Sequence, residues 1–171
     1  MLHIYSITIP LFIKMLGGLK NVLKTAEAHA KDIGMSEGEL LSDSLCEDMF
    51  PLKRQVQIAT DTAKGAVARL CGTQAPVYED TEETFADLYA RIDKTIEHLE
   101  TFDESLFEGA LTRQVTLPYF PGKYLTGEEY VIGHAIPNFH FHVVAAYGII
   151  RKNGAPICKA MYINGLPLKD L

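Results

Sequence analysis

Apolar residues recur at three- and four-residue steps along four long segments of this chain, a period typical of amphipathic α-helices. The predicted helices run from about Ser6 to Ile33, from Pro51 to about Leu70, from about Thr81 to Thr101 and from Thr126 to about Lys152. Glycine follows three of them, at Gly34, Gly72 and Gly154, where helices commonly end. Such helices must bury their apolar faces against one another, so the pattern predicts an all-α protein with a four-helix bundle.

The apolar period changes from helical to alternating just before the fourth helix. Leu111, Val115 and Leu117 alternate with threonine and glutamine, and Pro121-Gly122 is a turn dipeptide. We therefore predict a small β-hairpin before the last long helix. The length of 171 residues suits one compact core, so residues 1–171 are expected to form a single helical-bundle domain.

Charge and cysteine content argue against several classes of partner. The formal net charge is −6 and no basic patch is visible, so nucleic acid is not an expected partner. The three cysteines are far apart and form no CxxC pair, which favours a reducing cytoplasm. The apolar N-terminal stretch is interrupted by Lys14 and is too short to span a bilayer, so we expect a buried first helix and no membrane.

The stretch "GHAIPNFHFH", residues 133–142, holds three of the six histidines. On a regular helix His134, Asn138 and His142 share a face, and His140 points elsewhere. His134 and His142 are two turns apart, roughly 12 Å, which is too far for one metal ion. The adjacent pair is therefore Asn138 with His142. Pro137 predicts either a kink in this helix or the start of a new one.

Two positions near the second helix are candidates to face this pair. Gln55 borders the apolar stripe of that helix, and Asp48 joins the same pocket mouth if the turn before Pro51 is compact. One imidazole supplies too few ligands for a tight metal site. A purely structural, hydrogen-bonded role for His142 therefore stays open beside a binding role.

Three segments of the chain resemble an uncharacterised bacterial family, a domain of unknown function. They are "EDMFPLKRQVQIATDTAKGAVARLCG", "YEDTEETFADLYARIDKTIEHL" and "IPNFHFHVVAAYGIIRKNGAPICK". That family is similar to the DinB/YfiT-like helical-bundle superfamily of metalloenzymes. The resemblance implies a four-helix bundle and a homodimer. It also implies a divalent metal, Zn or Ni, bound by one histidine of the second helix and an H-x-x-x-H pair of the last. Some relatives use the metal to activate a small thiol for transfer.

The chain departs from that metal-binding pattern at two of three positions. Asn138 and His142 occupy the paired positions, so one imidazole is replaced by an amide, and Gln55 is the nearest polar substitute on the second helix. One histidine with two amide oxygens is a poor zinc site. We therefore expect no cofactor, and a core pocket of Gln55, Asn138, His142 and Asp48 that binds a small polar ligand.

The alternative is an enzyme. It would be a divalent-metal-dependent transferase or hydrolase of the DinB-like type, with an atypical Zn or Ni centre at His142, Asn138 and Gln55. The sequence contains no P-loop, GxGxxG, HExxH or nucleophile-elbow motif that would favour another enzyme class.

Overall fold

A computed structural model describes residues 3–170, and helices account for most of them. Seven α-helices lie within this range: α1 Ile4–Asp32, α2 Glu37–Ser42, α3 Leu52–Cys71, α4 Phe85–Glu100, α5 Gly127–Tyr130, α6 Ile136–Lys152 and α7 Lys159–Ile163. A 3-10 turn, Glu104–Phe107, follows α4, and a π-helical segment, Val131–Ala135, joins α5 to α6. The two strands are β1 Gln114–Val115 and β2 Leu125–Thr126.

Four long helices form the predicted bundle, the fourth being the continuous run of α5, the π-helical segment and α6. Helix α3 packs against α6 and α4, and α1 packs against α4 and α6. The faces between them carry fully buried side chains such as Phe12, Leu16, Val56, Leu88 and Phe139. Burying each of these large apolar side chains contributes roughly 1.5–3 kcal/mol, which is why the apolar stripes identified the bundle.

Capping residues explain where the helices begin. Ser36 with Glu39 and Thr126 with Glu129 form capping boxes. The third long helix begins at Phe85, four residues later than expected, because Thr84 accepts the Asp87 N–H and the Asp87 carboxylate accepts the Thr84 N–H. This third capping box satisfies backbone donors that would otherwise be unpaired.

The β-hairpin is present before the last long helix but is much shorter than the alternating sequence predicted. Gln114 pairs with Thr126 and Val115 with Leu125 in an antiparallel ladder. Gly127 follows at once, and a Cβ there would lie 1.8 Å from the Ala110 carbonyl oxygen. The glycine therefore lets the hairpin base lie directly against the start of the last long helix.

Pro137 is the second residue of α6, so it lies one position from the predicted start of a new helix at the proline. The backbone ahead of it, Val131–Ala135, winds as a π-helix, and α6 continues to Lys152. Proline has no N–H to donate to the preceding turn, and it is tolerated in the first turn of a helix, where that donor would be unpaired anyway. The side chains of His134, Asn138 and His142 still face one cleft, as the helical phase predicts.

Helix α1 is long and apolar enough in composition to cross a membrane, and no other helix of residues 3–170 is. Half of its most apolar 18-residue window is buried within the bundle, as in the core helix of a soluble protein. Helix α7 packs on its outer side, where a Cβ on Gly18 would lie 3.2 Å from the Met161 carbonyl oxygen.

Candidate functional site

A polar cleft of about 500 Å³ opens between α3 and the last long helix. Its apolar walls are Phe50, Ile58, Leu117 and Tyr119. Its polar lining comes equally from the two helices: Arg54, Asp61, Thr62 and Arg69 from α3, and Tyr130, His134, Asn138 and His142 from the other. The predicted pair Asn138 and His142 thus faces a cavity large enough for a small molecule.

Three side-chain hydrogen bonds cross from α3 to the last helix along this cleft. They join Gln55 to His142 at 2.7 Å, Thr62 to Asn138 at 2.9 Å and Arg69 to Tyr130 at 3.4 Å. The three α3 residues are spaced by seven, which places them on one face of that helix. We call these six residues the polar seam.

The tautomer of His142 follows from its neighbour. Gln55 Nε2 donates to the Phe50 carbonyl oxygen at 2.9 Å, so Gln55 Oε1 faces the imidazole and accepts from His142 Nδ1. In the neutral ring Nε2 is then unprotonated, and it makes no hydrogen bond to any residue of the range 3–170. His142 therefore offers the cleft a hydrogen-bond acceptor of defined orientation.

Burial keeps both cleft imidazoles neutral. His142 is 8% exposed, and desolvation lowers its pKa, with a further lowering from the Arg54 guanidinium. Desolvation likewise lowers the pKa of His134, and the Arg69 guanidinium adds to it. Burial raises the pKa of Tyr130, so its hydroxyl stays protonated beside Arg69. At neutral pH these three rings provide donors and acceptors without net charge.

Asn138 is held in one orientation by its own contact. Its Nδ2 donates to Thr62 Oγ1, which leaves Oδ1 as the atom available to accept from a ligand. Asn138 and His142 are four residues apart, about 6 Å along the helix axis, so Oδ1 and the imidazole Nε2 are neighbouring acceptors.

Glycine at position 65 makes room for the Arg69 side chain. A Cβ on Gly65 would lie 2.7 Å from Arg69 Nη1, so the guanidinium folds back over that residue. Glycine inside a helix costs roughly 0.5–1 kcal/mol relative to alanine. This cost is offset here by a defined position for the guanidinium at the cleft surface.

The charged side chains of the cleft are unequally compensated. Arg54 pairs with Asp80, and Asp61 is held by both Lys64 and Arg91 at 2.8 Å. Arg69 forms no ion pair within the part of the chain that is described; its polar partner is the Tyr130 hydroxyl. The cleft therefore carries one uncompensated positive charge.

The proposed metal ligands do not fit a zinc or nickel centre. Gln55 is 1% exposed, and its Oε1 accepts a hydrogen bond from His142 Nδ1. Gln55 therefore lies behind the imidazole, where it cannot bind the same ion as His142 Nε2. What remains is one imidazole nitrogen and the Asn138 amide oxygen, whereas zinc takes four ligands drawn mainly from Cys, His and carboxylates. No cluster of three or more such side chains occurs between residues 3 and 170.

The structure places the four predicted site residues differently. Asn138 and His142 line the cleft, and Gln55 contacts His142 from behind. Asp48 was expected at the pocket mouth, but it is exposed and does not line the cleft. Asp48 lies in a loop that the Leu52 N–H closes by donating to the Asp43 carbonyl oxygen, and the residue of this loop that lines the cleft is Phe50.

Six polar residues of the cleft were not predicted from sequence: Arg54, Asp61, Thr62, Arg69, Tyr130 and His134. The seven-residue spacing from Gln55 through Thr62 to Arg69 is a signal that would have found two of them. His134 was excluded because it is too far from His142 to share an ion. A small organic molecule is longer than an ion, so the distance between His134 and His142 does not prevent both from contacting one such ligand.

Comparison with known proteins gives a consistent family. Residues 4–163 match the family described as domain of unknown function (DUF1993). The chain is also similar to a DinB family member protein from Shewanella denitrificans, known from a crystal structure. The two share 45% sequence identity with a TM-score of 0.94, over 98% of this chain and 95% of that one. No curated protein matches the chain.

Proposed function

This chain belongs to the DUF1993 family and has a DinB-like helical fold, and from that premise we propose that it binds a small polar molecule in the cleft between α3 and α6. The observation that carries the proposal is the Gln55–His142 contact. The buried Gln55 amide accepts from His142 Nδ1 and so fixes the orientation of the imidazole. A purely structural histidine needs no particular nitrogen facing a cavity.

The chemistry of the cleft supports a ligand that donates hydrogen bonds. Asn138 Oδ1 and His142 Nε2 are adjacent acceptors, and both belong to side chains whose other polar atoms are already bonded. Phe50 and Ile58 provide apolar surface beside them. Apolar walls with a few fixed polar groups are the usual composition of small-molecule sites.

A ligand screen by thermal denaturation tests this proposal. Hydroxy and amino compounds that stabilise the protein should lose that effect in Asn138→Leu and in His142→Phe, because each change removes an acceptor and leaves the ligand donor unpaired. Asn21→Leu, at an exposed position of α1, is the control. Equal stabilisation of all four proteins would contradict binding in the cleft.

Metal-dependent transferase or hydrolase activity is the second candidate, and it is carried by the position of His142 on the last helix of a DinB-like fold. Metal analysis of protein purified without an affinity tag separates it from the first. We expect no stoichiometric Zn or Ni, since the seam offers only one imidazole nitrogen. Stoichiometric metal that is lost in His142→Ala would establish a metal centre instead.

We also propose a reducing cytoplasmic location. The three cysteines are free, and two of them, Cys46 and Cys158, are exposed. Exposed thiols persist where glutathione keeps them reduced, whereas an oxidising compartment would promote intermolecular disulfides.

A further inference from the structure

We infer that the ligand of this cleft is a small carboxylic acid, with its carboxylate bound by Arg69, Tyr130 and His134. The inference rests on the proposed function, because it names the class of molecule that the same cleft takes. We call these three residues the acid subsite.

Charge compensation is the first argument. Arg54 and Asp61 also line the cleft, but each is already paired with an oppositely charged side chain. Arg69 has a hydroxyl and no carboxylate as its partner among the residues of the described range. A guanidinium presents several N–H donors in a planar fork, and a carboxylate accepts two of them in parallel.

The position of the guanidinium is the second argument. Arg69 does not extend into solvent; it folds over Gly65, where any Cβ would lie 2.7 Å from Nη1. Nη1 is also 3.4 Å from the hydroxyl of Tyr130, a residue that is 2% exposed. An arginine held by a buried tyrosine, over a helix-interior glycine, loses little further side-chain freedom when an anion binds.

The neighbouring neutral rings favour a carboxylate over a phosphate. Arg69 contributes one positive charge, and both Tyr130 and His134 are neutral at pH 7, since burial raises the pKa of the first and lowers that of the second. One positive charge balances a carboxylate. A phosphate monoester carries about 1.5–2 negative charges at that pH and would leave excess charge against apolar walls.

The other end of the seam defines the rest of the ligand. Asn138 follows His134 of the acid subsite by four residues, and both side chains line the cleft. Four residues advance the helix by about one turn, so we take roughly 5 Å as the separation between the acid subsite and the Asn138 acceptor. A carboxylic acid with a hydroxyl or amino group three or four bonds from its carboxylate spans that distance.

Paired acids and amides test the inference. The probes are 3-hydroxybutyrate, 4-hydroxybutyrate and 4-aminobutyrate, each compared with its own primary amide, and binding is followed by protein-observed NMR. In the unmodified protein we expect at least one acid to bind about tenfold more tightly than its amide, the factor expected for a charge-assisted hydrogen bond.

Two variants remove the acid preference by different routes. Arg69→Gln removes the charge. Gly65→Ala keeps the charge but displaces the guanidinium, while alanine favours the helix, so its Tm should not fall. Both should bind an acid and its amide about equally. Lys24→Gln removes one charge from an exposed position of α1 and should keep the preference of the unmodified protein.

The outcomes separate this inference from the proposed function. An acid and amide that bind the unmodified protein equally, with loss of both in Asn138→Leu, would overturn the acid subsite and leave cleft binding intact. An acid preference that persists in Arg69→Gln would overturn the assignment to Arg69. Failure of every acid and every amide to bind would count against both.

Discussion

At the scale of single residues, buried polar side chains decide what the cleft presents. Gln55 is 1% exposed and uses both atoms of its amide, one toward Phe50 and one toward His142. The sequence predicted that Gln55 and His142 lie near each other, because helical phase put both at the edge of an apolar stripe. It did not predict that Gln55 stands behind the imidazole, since that depends on side-chain rotamers.

Gln55→Leu should destabilise the protein by about 1–3 kcal/mol, because it leaves buried His142 Nδ1 without an acceptor. Urea denaturation measures the change. The double variant Gln55→Leu with His142→Leu should recover part of the loss, since neither unpaired group remains. A single variant as stable as the unmodified protein would show that the imidazole is not held by this contact.

Four partly buried or buried histidines should make stability depend on pH. Desolvation lowers the pKa of His98, His134, His140 and His142 below the ordinary value of 6.5. The unfolded chain therefore takes up protons before the folded one does. Their contribution is complete above pH 6.5 and is lost as the pH falls from there through the lowered values.

Urea denaturation between pH 7.5 and 5 should thus give a free energy of unfolding that falls with pH. The carboxylates with lowered pKa, such as Asp43 and Asp87, titrate below this window from ordinary values near 3.8. His142→Gln should flatten the slope. A free energy that is constant or rises toward pH 5 would contradict the burial of these rings in neutral form.

At the scale of helices, α3 is locked to α4 by a buried arginine. Arg91 is 3% exposed and donates to Thr60, Asp61 and Glu82 at 2.7–2.9 Å. Asp61 also lines the cleft, so this network holds one wall of the site. The sequence around α4 is visibly rich in Asp and Glu. It does not show that Arg91 is buried among these carboxylates, because a local charge pattern does not reveal which side chain the fold encloses.

Arg91→Met should cost about 1–3 kcal/mol, since it removes the guanidinium from the largely buried Glu82, whereas Asp61 keeps its pair with Lys64. Lys53→Met is the matched control, because its pair with Glu83 is largely exposed and is worth about 0–1 kcal/mol. Chemical denaturation of both variants gives the comparison. Similar losses for the two would mean that Arg91 is solvated and does not hold α3 to α4.

The last long helix shows where prediction from sequence reached its limit. Its start at Thr126 and end at Lys152 follow from a capping box and a terminal glycine, which are local signals. The sequence contains no comparable local signal for the π-helical segment. A regular 3.6-residue period nevertheless placed His134, Asn138 and His142 on one face, and all three line the cleft.

At the scale of the whole molecule, the outer face of α6 carries no charge. Residues 131–150 contain no Asp, Glu, Lys or Arg, yet Ile132, Phe141 and Val144 are 61%, 56% and 51% exposed. Two copies with a net charge of −6 each repel one another, and contact through an uncharged face minimises that repulsion. We propose that this face pairs with its counterpart in a homodimer.

Light scattering should therefore give twice the 19.0 kDa chain mass. Phe141→Glu should shift the protein toward monomer, because a symmetric interface places the two new charges in a shared apolar environment. Val77→Glu, at a 91% exposed site elsewhere, is the control. A 19.0 kDa particle at high protein concentration would contradict the dimer.

The measurement closest to the central claim is residue-resolved NMR during titration with 4-hydroxybutyrate. Binding in the cleft predicts chemical-shift changes that cluster at Arg69, Thr62, Asn138 and His142, on both helices of the polar seam. Shifts confined to other surfaces, or none with any acid or amide of the panel, would contradict a ligand site between α3 and α6.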